Sequence, residues 1–139
     1  MHIFPRCGIP ILFPSCSKPD NGVHIFDGAA YPMEVHGFAD LLPWQVKKAD
    51  DAAIELTLAP NGLTKFVYPF DFLLTMRYTL EGATATLALT VENTGAKVLP
   101  FSVGFHPYFS VSKLENVAFH IDAATCSEDA KGEQPAAVQ

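Results

Sequence analysis

Cysteine is scarce in this chain, and what there is does not pair. Cys7, Cys16 and Cys126 are odd in number and far apart, with no Cys-x-x-Cys and no matching histidine spacing. A disulfide framework and a zinc site are therefore not signalled, and reduced thiols in a cytoplasmic protein are the simpler account. Basic residues are also few. Nine Lys and Arg against fifteen Asp and Glu give a net charge of -6, and the cations are scattered singly, so nucleic acid is not an expected partner. No apolar run approaches the roughly 18 residues of a membrane span, and the start lacks the layout of a secretory signal. Helical periodicity, the Gly-x-Ser-x-Gly elbow and phosphate-cradling glycine loops are all missing as well. Nothing in the residues requires a cofactor or a metal.

What the chain has instead is apolar bulk in alternating order. Hydrophobic residues make up 49%, eleven of them Phe, a content that predicts surface packed against a further segment or a second subunit. Residues 1–43 are rich in Pro, Gly and aromatics and read as coil. Within them, Gly8 to Pro14 fits an edge strand or a buried extended segment, and Lys18 to Gly22 fits a turn. Beyond Trp44 the period is two. Ile54, Leu56 and Leu58 alternate with Glu55 and Thr57, and Asn61-Gly62 reads as a turn. Phe72, Leu74, Met76, Tyr78 and Leu80 share one face of a strand. Across a Glu81-Gly82 turn, Ala83, Ala85, Leu87, Leu89 and Val91 share one face of the next. Asn93-Thr94-Gly95 turns into a strand from Val98 to Gly104, and Val117 to Ile121 is a last candidate strand. The pattern predicts one all-β domain over residues 1–139, a β-sandwich or open barrel, with residues 127–139 as a loop or tail.

The stretch Pro100 to Phe109 carries the clearest candidate chemistry. Pro107 disfavours the α region for His106 and pushes it toward extended backbone, so its imidazole should project from a strand exit. An imidazole can exchange protons near neutral pH. A histidine merely packed among Phe101, Phe105 and Tyr108 competes with that reading on equal terms. His36 precedes Gly37, which permits a close backbone approach, and can bind a polar ligand or be an ordinary loop histidine. His2, His24 and His120 have no supporting context. Trp44, Phe38, Tyr68, Phe70 and Tyr108 can serve as platforms for a sugar ring, although aromatics in a β chain are more often core. Asp40, Asp71, Glu92 and Asp122 form no recognisable acid/base couple. Arg6 beside Gly8 can meet an anion or stand solvated.

Taken in order, several pieces make the chain resemble the aldose 1-epimerase (mutarotase) superfamily, nearest its hexose-6-phosphate epimerase-like branch. They are Arg6-Cys-Gly-Ile-Pro-Ile-Leu-Phe-Pro14, His36-Gly-Phe-Ala39 followed by Trp44, Tyr68-Pro-Phe-Asp-Phe72, Val91-Glu-Asn93-x-Gly95, and Pro100-Phe-Ser-Val-Gly-Phe-His-Pro-Tyr-Phe109. The resemblance implies a galactose-mutarotase-like antiparallel β-sandwich whose concave face binds a small-molecule sugar, without metal or nucleotide. It implies that His106 is the general acid on the ring oxygen and that His36 orients the sugar, with Arg6, Trp44, Asp40 and Tyr108 as substrate-binding candidates.

Two departures accompany the resemblance. The phosphosugar branch commonly has arginine where this chain has Asp40, which weakens the case for a phosphorylated substrate. The family is longer, and its catalytic glutamate lies in a part beyond the matched pieces, so no general base is assigned and the sandwich is expected to be incomplete. A homo-oligomer or a complementary chain segment is the expected remedy. The alternative is a non-catalytic carbohydrate-binding β-sandwich.

Overall fold

The computed structural model describes residues 8–118 and 120. They fall into two compact units divided between Tyr108 and Phe109. In the first, the period-two segments form a four-stranded antiparallel sheet in the order β4-β5-β6-β7, with β4 at Gln45–Ala49, β5 at Ala53–Leu58, β6 at Phe72–Glu81 and β7 at Thr84–Asn93. The β6–β7 register explains why one face is apolar. Leu74 pairs with Val91, Met76 with Leu89 and Tyr78 with Leu87, while Thr75 pairs with Thr90 and Thr79 with Thr86. Like pairs with like across the ladder, so every second rung points to the core. The burial of Phe72, Leu74 and Met76 follows. The expected turn at residues 93–95 is also present, with Asn93 Oδ1 accepting from the Gly95 N–H at 3.0 Å.

Asn61-Gly62 does something other than turn a hairpin. Asn61 is the N-cap of a short helix, α1, at Gly62–Val67. Its side chain accepts from the N–H groups of Leu63 and Thr64, and the Thr64 hydroxyl accepts from the Asn61 N–H. This reciprocal capping satisfies donors that a turn would leave to water.

The segment read as coil before Trp44 contains a hairpin. Strands β2, Val23–Phe26, and β3, Ala29–Pro32, pair antiparallel around Asp27-Gly28, whose φ values of 50° and 79° are both positive. Such a two-residue connection matches the twist of the flanking strands, and Asp-Gly is a favoured sequence for it. The Asp20–Gly22 stretch is a single 3-10 turn, in keeping with the expected turn there.

The strand expected from Val98 to Gly104 is much shorter. Only β8, Gly104–Phe105, forms a ladder, pairing antiparallel with β1, Ile11–Leu12. Prolines limit it: Pro10, Pro14, Pro100 and Pro107 have no N–H to donate. Pro10 and Pro14 serve as acceptors instead, with Ser102 N–H donating to Pro14 O at 2.9 Å and His106 N–H to Pro10 O at 3.0 Å. The Pro100 carbonyl accepts from the Tyr68 hydroxyl at 2.8 Å. Within residues 8–14 both expected forms are present: Ile11–Leu12 is a strand of a two-stranded ladder, and residues 11–14 are buried while Gly8 is exposed.

Phe13, fully buried, is the centre of the core. Its ring meets Phe38, Tyr68, Phe72 and Phe101 at centroid distances between 5.0 and 6.0 Å. Aromatic contacts of this range add to the burial of area itself. In the second unit, Leu114–Asn116 forms a 3-10 turn. Val117, Ala118 and His120, from the last expected strand, are not in a strand. Phe119, Ile121 and the predicted tail at 127–139 lie outside the described residues.

Candidate functional site

The site is built where the 8–16 segment meets two others. On one side, Phe13 O accepts from the N–H groups of Phe38 and Ala39 at 2.9 and 3.3 Å, and Phe13 bridges Gly37 in parallel fashion. That contact demands glycine. Gly37 has φ +76°, and a Cβ there would lie 2.2 Å from Phe13 O. His36, the residue before it, is also left-handed at φ 71°, a conformation uncommon outside glycine but more accessible to histidine than to bulkier residues. On the other side, β8 delivers His106 directly after its last residue, as Pro107 predicts.

These two approaches bring the histidines together. The rings of His36 and His106 have centroids 5.6 Å apart and cross at 68°. Both side chains are half-buried. His106 also stacks on Tyr108, with centroids 4.9 Å apart and planes 16° from parallel. His36 Nδ1 lies 2.7 Å from Cys16 O. A carbonyl oxygen can only accept, so Nδ1 carries the hydrogen and donates it. Neutral His36 therefore keeps its lone pair on Nε2, on the side of the ring away from Cys16.

Of the other predicted residues, Trp44 is half-buried beside the core and commits its indole N–H to Ala39 O at 2.9 Å. It pins the loop that begins at His36. Asp40 is half-buried in that loop. Tyr68 and Phe70 are core, and burial raises the Tyr68 phenol well above its ordinary 10.0. Phe38 is core as well. Arg6 lies outside the described residues, as do Cys7, Cys126, His2 and Asp122. His24 stacks on Phe26 within β2, and His120 is exposed. Asp71 and Glu92 are exposed. Among the described residues no three His, Cys, Asp or Glu side chains gather as a metal set. No helix among them is long and apolar enough to cross a membrane.

Two neighbours of the histidine pair escape reading from sequence alone. Cys16 matters through its backbone, since its N–H donates to Ser102 Oγ at 2.9 Å while its carbonyl holds His36. Ser102 stands inside the Pro100 to Phe109 stretch, but no periodicity or motif rule marks a serine that bonds to a residue 86 positions earlier. A separate apolar hollow of about 300 Å³, lined by Met33, Phe38, Leu41, Leu63 and Phe66 among others, contains neither histidine.

Known proteins share this arrangement of elements. The family model for aldose 1-epimerase matches residues 4–135. A galactose mutarotase-like protein from Lactobacillus casei superposes with a TM-score of 0.72 at 35% identity, over 77% of this chain and 37% of that one. The Slr1438 protein from Synechocystis gives 0.68 at 38% identity, over 73% and 36% of the two chains. A relative from Cenchrus ciliaris, named provisionally as a glucose-6-phosphate 1-epimerase, is 32% identical over 81% of this chain and 34% of its own. The chain spans about two-fifths or less of the length of the curated relatives it matches, 38% for the LacX protein of Lactococcus lactis. The antiparallel architecture is that of the galactose-mutarotase-like fold, and the chain belongs to the aldose 1-epimerase family.

Proposed function

We propose that this chain supplies the sugar-binding and proton-donating face of an isomerase that interconverts the α and β anomers of a hexose. The observation that carries the reading is the pairing of His36 and His106 at 5.6 Å on segments that are 70 residues apart in sequence. In this reading His106 donates a proton to the pyranose ring oxygen while a carboxylate takes the proton of the anomeric hydroxyl. The C1–O5 bond breaks, rotation about C1–C2 presents the other carbonyl face, and reclosure returns both protons. His36 holds the sugar through Nε2. The bond from the His106 N–H to Pro10 O and the stacked Tyr108 ring fix the direction of the acid, and positioning of that kind is a large part of such catalysis. No general base is assigned within this chain. The provisional name of the Cenchrus ciliaris relative favours a hexose phosphate, and Asp40 in the loop after His36 favours an unphosphorylated hexose.

A second reading follows from the length comparison, in which a chain matching 38% of a relative serves as a carbohydrate-binding module without turnover. One experiment separates the two. Freshly dissolved α-glucose or α-galactose is followed by polarimetry with and without the chain, and histidine ring resonances are followed by NMR in the same sugars. Faster equilibration together with shifts at His36 and His106 supports the epimerase. Shifts at the spontaneous rate support the binding module. The absence of both overturns the proposal.

A further inference from the structure

We infer that Ser102 is a positioning residue that locks the tautomer of His36 through the backbone of Cys16. The inference rests on the sugar-binding reading of the histidine pair and adds a residue and a chemical sense to it. The chain of contacts is continuous. The Ser102 N–H donates to Pro14 O at 2.9 Å, Ser102 Oγ accepts from the Cys16 N–H at 2.9 Å, and Cys16 O accepts from His36 Nδ1 at 2.7 Å. A single serine thus grips the 14–16 segment at two points, and it stands four residues before His106 on the same strand approach.

The grip has a chemical consequence. Were the hydrogen of neutral His36 on Nε2, the Nδ1 lone pair would face the Cys16 carbonyl oxygen at 2.7 Å. Two acceptors at that distance repel, so the orientation of the Cys16 peptide selects the Nδ1–H form. The Cys16 carbonyl can hold that position only if the backbone around the Cys16 α-carbon is held. Ser102 Oγ holds the preceding plane, that of the 15–16 peptide, and so restricts the rotation of the 16–17 plane that carries the carbonyl. Neutral His36 then meets a sugar as a hydrogen-bond acceptor, and the class of group it takes is a hydroxyl that donates. The left-handed backbone of His36, φ 71°, adds a reason for the anchor: a side chain launched from an uncommon backbone conformation needs a partner to hold it. The Cys16 side chain lies against β8 as well, close enough that a Cβ on Gly104 would come within 3.2 Å of Cys16 Sγ.

The test uses the chain labelled with 15N in its histidine rings, at alkaline pH where imidazole is neutral, together with Ser102→Ala and Ser102→Thr. The expected wild-type spectrum shows His36 as the Nδ1–H tautomer. Ser102→Ala should bring in the Nε2–H form and weaken sugar binding, read at the His36 resonances, by about threefold to tenfold, the range of one net hydrogen bond. Ser102→Thr retains the oxygen and should restore both. Wild-type His36 in the Nε2–H form overturns the inference, and so does Ser102→Ala with an unchanged tautomer. Should Ser102→Ala not fold, Ser102→Cys, which replaces the hydroxyl by a weak acceptor, gives the same comparison: a mixture of tautomers supports the lock and an unchanged Nδ1–H form overturns it. A wild-type chain with the Nδ1–H tautomer but no response to any sugar supports the lock and overturns the sugar reading, so the two failures look different.

Discussion

The carbonyl of Phe13 occupies the space that a side chain at Gly37 would need, 2.2 Å from an ideal Cβ. The residue that closes the core and the residue that follows His36 are therefore in backbone contact, and core packing sets the site geometry. Gly37→Ala must move one of them and must also accept φ +76°. Left-handed strain together with overpacking should cost about 2–4 kcal/mol. Urea denaturation followed by fluorescence of the single tryptophan checks it, and a variant within 0.5 kcal/mol of wild type, roughly the scale of a neutral surface change, would contradict it.

The two ends of β6 should respond unequally to truncation. Leu74 is fully buried, whereas Leu80 on the same face is 59% exposed near the turn. Leu74→Ala should cost about 2–5 kcal/mol, the range of a buried leucine truncation. Leu80→Ala should stay within about 0.5 kcal/mol. Equal losses in denaturant midpoint would show that the apolar face is covered along its whole length.

Tyr68 gives a pH dependence. Its phenol is buried and donates to Pro100 O, and burial raises its folded value above the ordinary 10.0. Below pH 10 both folded and unfolded states are neutral at this group, and its contribution is fully present. Above pH 10 the unfolded state releases the proton first, so stability falls as pH rises toward the folded value. Tyr68→Phe should remove that loss, and it should cost about 0.5–1.5 kcal/mol at neutral pH through the missing hydrogen bond. Thermal melts at pH 8 and pH 11, compared between the two proteins, read both effects.

The β6–β7 hairpin was legible because one face is buried and the other is not, which writes the period directly into the residues. His106 at a strand exit was legible because Pro107 restricts its backbone locally. The β2–β3 hairpin is hidden in the sequence although Asp27-Gly28 is a strong local signal, because the surrounding Pro and Gly content reads as coil. Asn61-Gly62 shows the reverse error, since the same dipeptide type suits a turn or an N-cap, and the Thr64 hydroxyl three residues on decides for the cap. The meeting of His36 with His106 depends on Phe13, Cys16 and Ser102 contacts across long stretches of chain. Local pattern carries no information on those, and the family resemblance supplied the pairing.

His106 as the proton donor to the sugar ring is the central claim, and the rate of anomer equilibration in the wild-type chain and in His106→Asn tests it most directly. The account predicts that α-glucose or α-galactose equilibrates faster with the wild-type chain than alone. It predicts that His106→Asn, folded by its circular dichroism, loses about 10²-fold of that acceleration, the scale of general acid catalysis. An accelerating wild-type chain matched in rate by His106→Asn would contradict it.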